Sequence, residues 1–484
     1  MKFLIATYFL LPQAGGVGTH IEAVKQELER NGHTVDVLGQ SPNLKELYII
    51  NSGQSISKSI INPIHPLRIR EYYKNHFPHL DSWIIQKELS RYTFELTAAL
   101  FDLSKYDVIL TQDVISTRIF RRIKPKHIPI ICTIHGQMTK ELVNLGIIKS
   151  DDTDRWHYQM AEELNGLLSA DKIIVPTEWM KSEIQNNFDI PSDIYVIPYC
   201  ARNIPSFLEK LEAEPYPPVP TTKNKIIIGC ISRLVSYKGH PILFDALKKL
   251  KKRREDFECW IVGDGPDKEY FQEYSEKKGL KNFIKFLGSR NDVPSLLQKM
   301  DIVVLPTLQD NMPFSIIEAQ IAGKAICASE TGGIPEMIDS GYNGFLFQKN
   351  NSKQLSEQLL TLIQNDKIRK TLEANTQQMA LKQWDPELLY DRLKNVYDEL
   401  LIEEPLKPNV MVDHLLLEKY GISIKSKQPI ENLKDIFLFD TLGSFEETIC
   451  LKIMEHIPDT YCLPDLQMLK TIVEITMKGE KLNE

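Results

Sequence analysis

The sequence lacks any apolar run near the roughly 18 to 20 residues that a membrane-spanning helix needs. Its first ten residues, MKFLIATYFL, hold one lysine and a short apolar stretch, which weakly resembles a signal peptide. No small-residue cleavage site follows, whereas a glycine-rich turn and a helical pattern do. We therefore interpret Lys2–Leu10 as a first β-strand. We expect a cytoplasmic protein, and a position at the inner face of the membrane stays open.

Cysteine pairs and excess positive charge are also missing. None of the seven cysteines belongs to a C-x-x-C pair, which argues against a zinc site or a disulfide framework and favours reduced thiols in the core. The formal net charge is −7, so a large nucleic-acid-binding surface is not expected. With 42% hydrophobic and 25% charged residues, the composition is that of a folded globular protein.

What is present is an alternation of strand-like apolar runs with amphipathic helical segments, typical of βαβ units around a parallel sheet. The alternation starts twice, and 484 residues are too many for one core. The first series has apolar runs at 2–10, 34–38, 107–111, 129–134, 172–176 and 195–198, and the second at 225–231, 259–262, 284–287, 301–305 and 325–328. The predicted fold class is α/β, with two Rossmann-like domains and a cleft between them.

The domain boundaries follow from the same pattern. We predict an N-terminal domain at 1–200, a proline-rich semi-rigid linker without periodicity at 201–224, and a C-terminal domain at 225–383. Residues 384–402 are predicted to form a helix that returns to the first domain. Its apolar stripe comprises Leu388, Leu389, Leu393, Val396 and Leu400.

Residues 403–484 differ from the rest, with 9 basic and 15 acidic residues in short, mostly helical segments. This extension is too acidic to lie on an anionic membrane. It is also too apolar to be disordered, because leucines 415–417, the run 436–439, and Ile472 and Ile475 require burial. We expect it to pack on the catalytic body or on a second copy, as in a homo-oligomer.

The first segment with candidate functional residues is GGVGTHIE at 15–22, which follows the first strand. Thr19 and Glu22 have capping-box spacing, and glycines at a helix N-terminus let a ligand approach free N–H groups. The segment predicts an anion site, most simply for phosphate, and an empty tight turn is the alternative. The glycine spacing is not that of a dinucleotide fingerprint.

A second segment, SRLVSYKG at 232–239, follows the first strand of the second series. Arg233 and Lys238 stand five residues apart on a strand-to-helix loop, where both can reach one diphosphate. Two solvated loop cations are the alternative interpretation.

A third segment, PTLQDNMPFSIIEA at 306–319, places Asp310 before a predicted helix and Glu318 inside it. A buried acid in the run IIEA needs a partner, and sugar or ribose hydroxyls are suitable donors. A half-exposed helical glutamate is the alternative.

Together these segments resemble the family-four retaining glycosyltransferases of the GT-B fold, over about residues 1–402. The family's paired acids, separated by seven residues, correspond to Asp310 and Glu318. The further matching stretches are 15–18, 133–136, 232–239, 262–265 and 332–336.

The resemblance implies a donor site for a nucleotide-diphosphate sugar, most simply a UDP-sugar, with no cofactor and no metal. Glu318 would hold the ribose, Asp310 the sugar, and Arg233 and Lys238 the diphosphate as it leaves. His135 would face the transferred sugar, with a core histidine as the alternative. The remaining implied donor-binding residues are Gly16, Gly288, Arg290, Asn311, Met312, Pro313, Phe314 and Ser315.

The chain departs from the family pattern at three places. The first acid is Asp310 where Glu is commoner, Ser315 replaces the usual glycine, and Tyr199-Cys200 stands where Asn-Gly is usual. The donor sugar is therefore left unassigned. A UDP-sugar 2-epimerase that hydrolyses its donor, or a non-catalytic nucleotide-sugar-binding subunit, is the competing function.

The acceptor is not readable from the sequence and stays open among sugar, lipid, peptide and small molecule. The basic run Arg118, Arg121, Arg122, Lys124 and Lys126 has two interpretations. It could meet anionic lipid or an acceptor phosphate, which would give a peripheral membrane contact, or it could be a solvated basic face.

Overall fold

The computed structural model describes residues 1–12, 15–61, 66–149, 153–220, 224–402, 444–458, 461 and 463–481. It contains two sheets, each flanked by helices. The prediction of an α/β fold with two Rossmann-like units is confirmed.

The first sheet has eight strands in the order β4-β3-β2-β1-β5-β6-β7-β8. Its strands are β1 Lys2–Leu10, β2 Thr34–Gln40, β3 Glu46–Ile49, β4 Ser55–Ser57, β5 Val108–Thr111, β6 Ile130–Thr133, β7 Lys172–Val175 and β8 Ile194–Val196. β1 lies centrally and pairs in parallel with β2 and β5, whereas β3 and β4 add an antiparallel edge. The edge strands were not predicted, because they are only four and three residues long.

The helices of this unit cover both faces of its sheet. They are α1 Gly16–Arg30, α2 Pro66–His76, α3 Ser82–Ala98, α4 Val114–Ile123, α5 Met138–Asn144, α6 Asp154–Leu168 and α7 Glu178–Asn187. β5, β6 and β7 are buried along their whole length, which explains their continuous apolar sequences.

The second sheet has six parallel strands in the order β11-β10-β9-β12-β13-β14. They are β9 Ile226–Ile231, β10 Phe257–Val262, β11 Ile284–Gly288, β12 Ile302–Leu305, β13 Ala325–Glu330 and β14 Phe345–Gln348. The helices are α9 His240–Lys251, α10 Lys268–Lys277, α11 Val293–Lys299, α12 Phe314–Ile321, α13 Ser352–Gln364 and α14 Asp366–Gln383. β14 was not predicted.

The segment between the sheets was predicted as a linker without periodicity, and it contains a short helix that was not predicted. It contains helix α8, Ile204–Leu211, which begins after Asn203 and has Pro205 in its first turn. Asn203 accepts a hydrogen bond from the amide of Ser206 at 2.8 Å, a standard N-cap. The helix was not predicted because the prolines were interpreted as signals of a linker, although proline is favoured in a first helical turn.

The chain returns to the first unit beside this linker. Trp384 ends α14 and is fully buried, and its carbonyl accepts the amide of Ala201 at 3.0 Å. The return helix α15 is Pro386–Ile402, two residues shorter at its start than predicted. Leu389, Leu393, Val396 and Leu400 enter the core under α1, as the stripe required, whereas Leu388 is exposed.

The described part of the extension forms α16, Ser444–His456, and α17, Leu466–Lys481. Ile472 and Ile475 are buried, and both helices share one core with α4 and α6. The extension therefore packs on the first unit, as one of the two expectations stated. Leucines 415–417, the run 436–439 and Cys462 lie outside the described residues; the six described cysteines are buried.

The basic run is neither a solvated face nor an exposed anion site. Arg118 and Arg122 pair with Asp465, which precedes α17, at 2.8 and 3.2 Å, and Arg121 pairs with Asp171 at 3.1 Å. Lys124 is buried, and burial lowers its pKa to about 8. Lys126 alone is exposed. Both interpretations were wrong because the acidic partners come from distant parts of the chain.

Candidate functional site

The loops that follow β1, β6 and β7 face the loops that follow β9, β12 and β13. This arrangement is a cleft at the carboxyl ends of parallel strands, where α/β proteins bind ligands. A Cβ on Gly16 would lie 3.2 Å from Phe314, so the two sides are in contact there. The side-chain Nδ2 of Asn311 also reaches across and donates to the backbone carbonyl of His135 at 3.0 Å.

The glycine-rich segment starts α1 at Gly16, with Gly15 as the N-cap at a φ of +115°. No side chain caps this helix, and the hydroxyl of Thr19 donates to the Gly15 carbonyl at 3.2 Å. The predicted capping box is therefore wrong, because Thr19 lies inside the helix. The first turn keeps its amides available for an anion, with no Cβ at Gly15 or Gly16 in the way.

Lys238 and Asp310 meet at the floor of the cleft. Nζ of Lys238 donates to Oδ2 of Asp310 at 2.6 Å, and both side chains are mostly buried. Gly239 has a φ of +73°, and a Cβ there would lie 1.9 Å from the carbonyl oxygen of Pro306. Only glycine lets the two loops approach this closely, so Gly239 places the cation next to the acid.

Arg233 points toward the first unit. Its guanidinium lies 3.3 Å from Oε1 of Glu141 on α5, and it also donates to the hydroxyl of Tyr237. That hydroxyl donates to Glu141 at 3.1 Å. Arg233 and Glu141 are both substantially exposed, so an anion can replace the glutamate. Glu141 carries no sequence motif and was not predicted.

The loop before α12 joins the two units through its side chains. Asn311 is buried, and its side chain contacts Thr177 and His135 of the first unit. Sδ of Met312 accepts the amide of Tyr199 at 3.2 Å, and Pro313 is the residue before α12. Ser315 lies in the first turn of α12, half-buried.

Glu318 lies on α12, just over one turn beyond Phe314. Burial raises its pKa to about 7. Among the described residues its carboxyl group has no hydrogen-bond or ion-pair partner. The side chain is half-buried, as the alternative of a half-exposed helical glutamate stated, and its carboxyl group can accept hydrogen bonds from a pair of ligand hydroxyls.

His135 follows β6 and has both ring nitrogens engaged. Nδ1 lies 2.5 Å from the hydroxyl of Tyr199, and Nε2 lies 3.1 Å from Oε1 of Gln112. Burial and the neighbouring His20 hold the pKa of His135 well below its usual value, so the ring is neutral. Tyr199 and Gln112 were not predicted as site residues. The departure at Tyr199-Cys200 was the one available signal for Tyr199.

Gly288 and Arg290 form hydrogen bonds with residues that were not predicted for the site. Arg290 holds Asp292 with two hydrogen bonds of 2.7 and 2.6 Å, and also donates to the Pro217 carbonyl at 2.9 Å. Gly288 has a φ of +71°, and its carbonyl accepts the amide of Gly263 at 2.8 Å. Gly288 and Arg290 therefore lie at the border of the second sheet. The structure brings the other residues of the predicted site together at the cleft: Gly16, Arg233, Lys238, Asp310, Asn311, Met312 and Phe314.

The described residues lack two features, a cluster of metal ligands and a membrane-spanning helix. They contain no group of three or more His, Cys, Asp or Glu side chains arranged to hold a metal ion. Nor does any helix among them have the length and apolar character to cross a membrane.

Comparison with known proteins agrees with the geometry. The family model "Glycosyltransferase Family 4" matches residues 14–200, and "Glycosyl transferases group 1" matches residues 216–379. A Campylobacter jejuni enzyme, N,N'-diacetylbacillosaminyl-diphospho-undecaprenol alpha-1,3-N-acetylgalactosaminyltransferase, is 31% identical over 178 residues, covering 37% of this chain and 46% of the relative.

Solved structures share the fold over 82% of this chain. Sucrose-phosphate synthase from Thermosynechococcus elongatus has a TM-score of 0.64 at 14% identity, with 99% of that chain covered. Anabaena HepE in complex with UDP-glucose has a TM-score of 0.56 at 18% identity, with 100% covered. The predicted GT-B fold is confirmed.

Proposed function

This chain belongs to the family-four glycosyltransferases of the GT-B fold, and we propose that it transfers a hexosyl unit from a UDP-sugar with retention of configuration. The observation that carries the proposal is the meeting of Lys238 and Asp310 opposite the open N-terminus of α1. Cations and helix amides on both sides of one cleft suit a diphosphate.

The chemistry assigned to these groups is electrostatic. The bond between the anomeric carbon and the diphosphate oxygen breaks, and an acceptor hydroxyl oxygen forms a bond to that carbon on the same face of the sugar. UDP departs and takes up the hydroxyl proton, and Arg233 and Lys238 offset the charge left on the diphosphate. Such stabilisation is commonly the largest contribution in group transfer. Asp310 is placed beside the sugar, and Glu318 accepts hydrogen bonds from the ribose.

In this proposal the acceptor is an intermediate of glycoconjugate synthesis. The Campylobacter jejuni relative is named for a sugar linked through diphosphate to undecaprenol. HepE is described with UDP-glucose. A polyprenyl-diphosphate sugar is therefore the first acceptor to test, and UDP-glucose, UDP-galactose and their N-acetyl forms are the first donors.

The test is a donor screen that measures UDP release with and without acceptor, followed by NMR of the product's anomeric proton. We expect an α-linked product whose formation requires acceptor and persists in EDTA. Free sugar release without acceptor would instead indicate the hydrolysing epimerase, and an inverted linkage would exclude retention. Donor binding without turnover would favour the non-catalytic subunit.

Lys238→Ala tests the site itself. Removing one charge-stabilising group typically costs about 10²–10³-fold in rate, and the same loss is expected for Glu318→Ala. Lys277→Ala, which removes an exposed cation paired with Glu273, is the control and should keep full activity. Near-normal rates in both site variants would contradict the assignment.

A further inference from the structure

Tyr199 lies where the chain first crosses between the units, and it contacts both. Its ring stacks on Phe314 of α12, with 5.1 Å between centroids and 12° between planes. Its backbone amide donates to Sδ of Met312, and its hydroxyl lies 2.5 Å from Nδ1 of His135. One buried side chain thus links the donor loop to the histidine on the other side of the cleft.

The hydrogen-bond partners define the proton positions on His135. Oε1 of Gln112 can only accept, so Nε2 of His135 carries the proton at that contact. A neutral imidazole has one proton, so Nδ1 must accept from the Tyr199 hydroxyl. Among the described residues that hydroxyl has no other polar partner, and the opposite arrangement would leave its proton buried without an acceptor.

We propose that Tyr199 is a positioning residue that holds His135 in the Nε2–H form, so that the ring directs a hydrogen-bond donor at the buried side chain of Gln112. The proposal rests on the proposed function, in which His135 faces the transferred sugar. The sugar atom that meets His135 is then an oxygen that accepts a hydrogen bond and displaces the Gln112 side chain. Because the Tyr199 ring stacks on Phe314 of the other unit, this position of Tyr199 beside His135 belongs to the closed cleft.

The first experiment reads the tautomer directly, on the full-length protein and without turnover. Long-range ¹H–¹⁵N spectra of ¹⁵N-histidine-labelled protein, with His135→Gln to assign the resonances, report which nitrogen is protonated. We expect a neutral ring with protonated Nε2 and a hydrogen-bonded Nδ1. Tyr199→Phe keeps the ring and its stack and should shift the Nδ1 resonance toward that of a nitrogen without a hydrogen bond.

The second experiment measures turnover. Tyr199→Phe should lower kcat roughly tenfold, equal to about 1.4 kcal/mol, with the donor KM changed less than twofold. Because Tyr199 acts through His135, the Tyr199→Phe, His135→Ala double variant should be no slower than His135→Ala alone. The matched control is Tyr106→Phe, which removes another buried hydroxyl, bonded to Asp36 at 2.8 Å, and should keep kcat.

The proposal would be overturned by an Nδ1 resonance unchanged by Tyr199→Phe, by protonation at Nδ1 in the wild type, or by an additive double variant. If no donor supports transfer, the proposed function fails, and the spectra still decide the role of Tyr199. Preserved turnover with an altered spectrum would show that the tautomer does not matter for transfer, and this would also refute the positioning role.

Discussion

Arg233 meets the carboxylate of Glu141 across the cleft, at the place where the proposed diphosphate would bind. A bound diphosphate and Glu141 would compete for the same guanidinium. Both side chains are exposed, so their pairing is worth less than about 1 kcal/mol.

Glu141→Gln should therefore lower the Kd for UDP by about two- to fivefold, more at low salt than at high salt. Isothermal titration calorimetry with UDP measures this. Glu183→Gln removes a carboxylate that pairs with Lys140 on the same side of the cleft and serves as the control. A weaker affinity in Glu141→Gln would mean that the glutamate assists binding.

Glu318 gives a second residue-scale prediction, because burial raises its pKa from 4.5 to about 7. The folded protein then binds this proton more tightly than the unfolded chain does. The stability that it contributes is full below about pH 4.5 and is lost as the pH rises through 7. Relative to wild type, Glu318→Gln should gain stability between pH 5 and pH 8.

Donor binding should also release the proton of Glu318, because a ribose-binding carboxylate accepts hydrogen bonds in its ionised form. At pH 6.5, calorimetry in buffers of different ionisation enthalpy should show release of up to one proton. Glu163→Gln is a matched control, since burial also raises the pKa of Glu163 to about 7 while it bonds Thr139. Unchanged proton release in Glu318→Gln would remove Glu318 from the ribose site.

The sequence allowed prediction of site residues whose neighbours are local, but not of residues joined only by the fold. Lys238 and Asp310 each follow a strand of one sheet, so parallel-sheet topology brings them to the same edge. Glu141 and Gln112 approach the site from other elements, and no local pattern marks them.

At the scale of elements, strands buried on both faces were predictable and short edge strands were not. β9 reads IIIGCI, a continuous apolar run that fits a central parallel strand. β4 has three residues, SIS, without a fully buried side chain, so neither length nor pattern distinguishes it from a loop. Helix α8 did have local signals, an Asn cap and a first-turn proline, which the interpretation as a linker overlooked.

Helix α7 holds the cleft closed through its N-terminus. Glu336, on the loop after β13, accepts the amides of Glu178 and Trp179 at 2.9 and 2.7 Å. A carboxylate at a helix N-terminus satisfies free amides and interacts favourably with the helix dipole. This cap belongs to the other unit, so it forms only when the units are together.

Glu336→Ala should shift the protein toward an open cleft by about 1 kcal/mol, roughly fivefold in the ratio of closed to open molecules. Small-angle scattering without ligand should show a larger radius of gyration, and saturating UDP should restore compaction. Glu330→Ala, an exposed acid at the end of β13, is the control. Identical scattering for Glu336→Ala and wild type would show that other contacts hold the cleft closed.

At the scale of the whole molecule, the C-terminal extension is part of the first unit's core. Asp465 binds Arg118 and Arg122, and the hydroxyl of Tyr461 donates to Glu95 at 2.6 Å. Although burial opposes its ionisation, the nearby Arg122 and Arg118 hold the pKa of Asp465 well below its usual value. The extension thus supplies an acid that buried arginines of α4 require.

Asp465→Ala should destabilise the protein by about 3 to 5 kcal/mol, because it removes the carboxylate that pairs with both Arg118 and Arg122 and leaves the buried Arg118 with only the more distant carboxylates of Glu88 and Glu162. Glu455→Ala, an exposed acid on α16, should change stability by less than about 0.5 kcal/mol. Denaturant unfolding at pH 7 measures both. Because the folded pKa of Asp465 is depressed, its contribution to the free energy of unfolding is present above about pH 4 and is lost as the pH falls. The stabilities of the wild type and Asp465→Ala should therefore converge in acid.

Deletion of residues 403–484 should likewise destabilise the first unit while the second sheet still binds UDP. A truncated chain as stable as the full protein would show that α16 and α17 add nothing to the core.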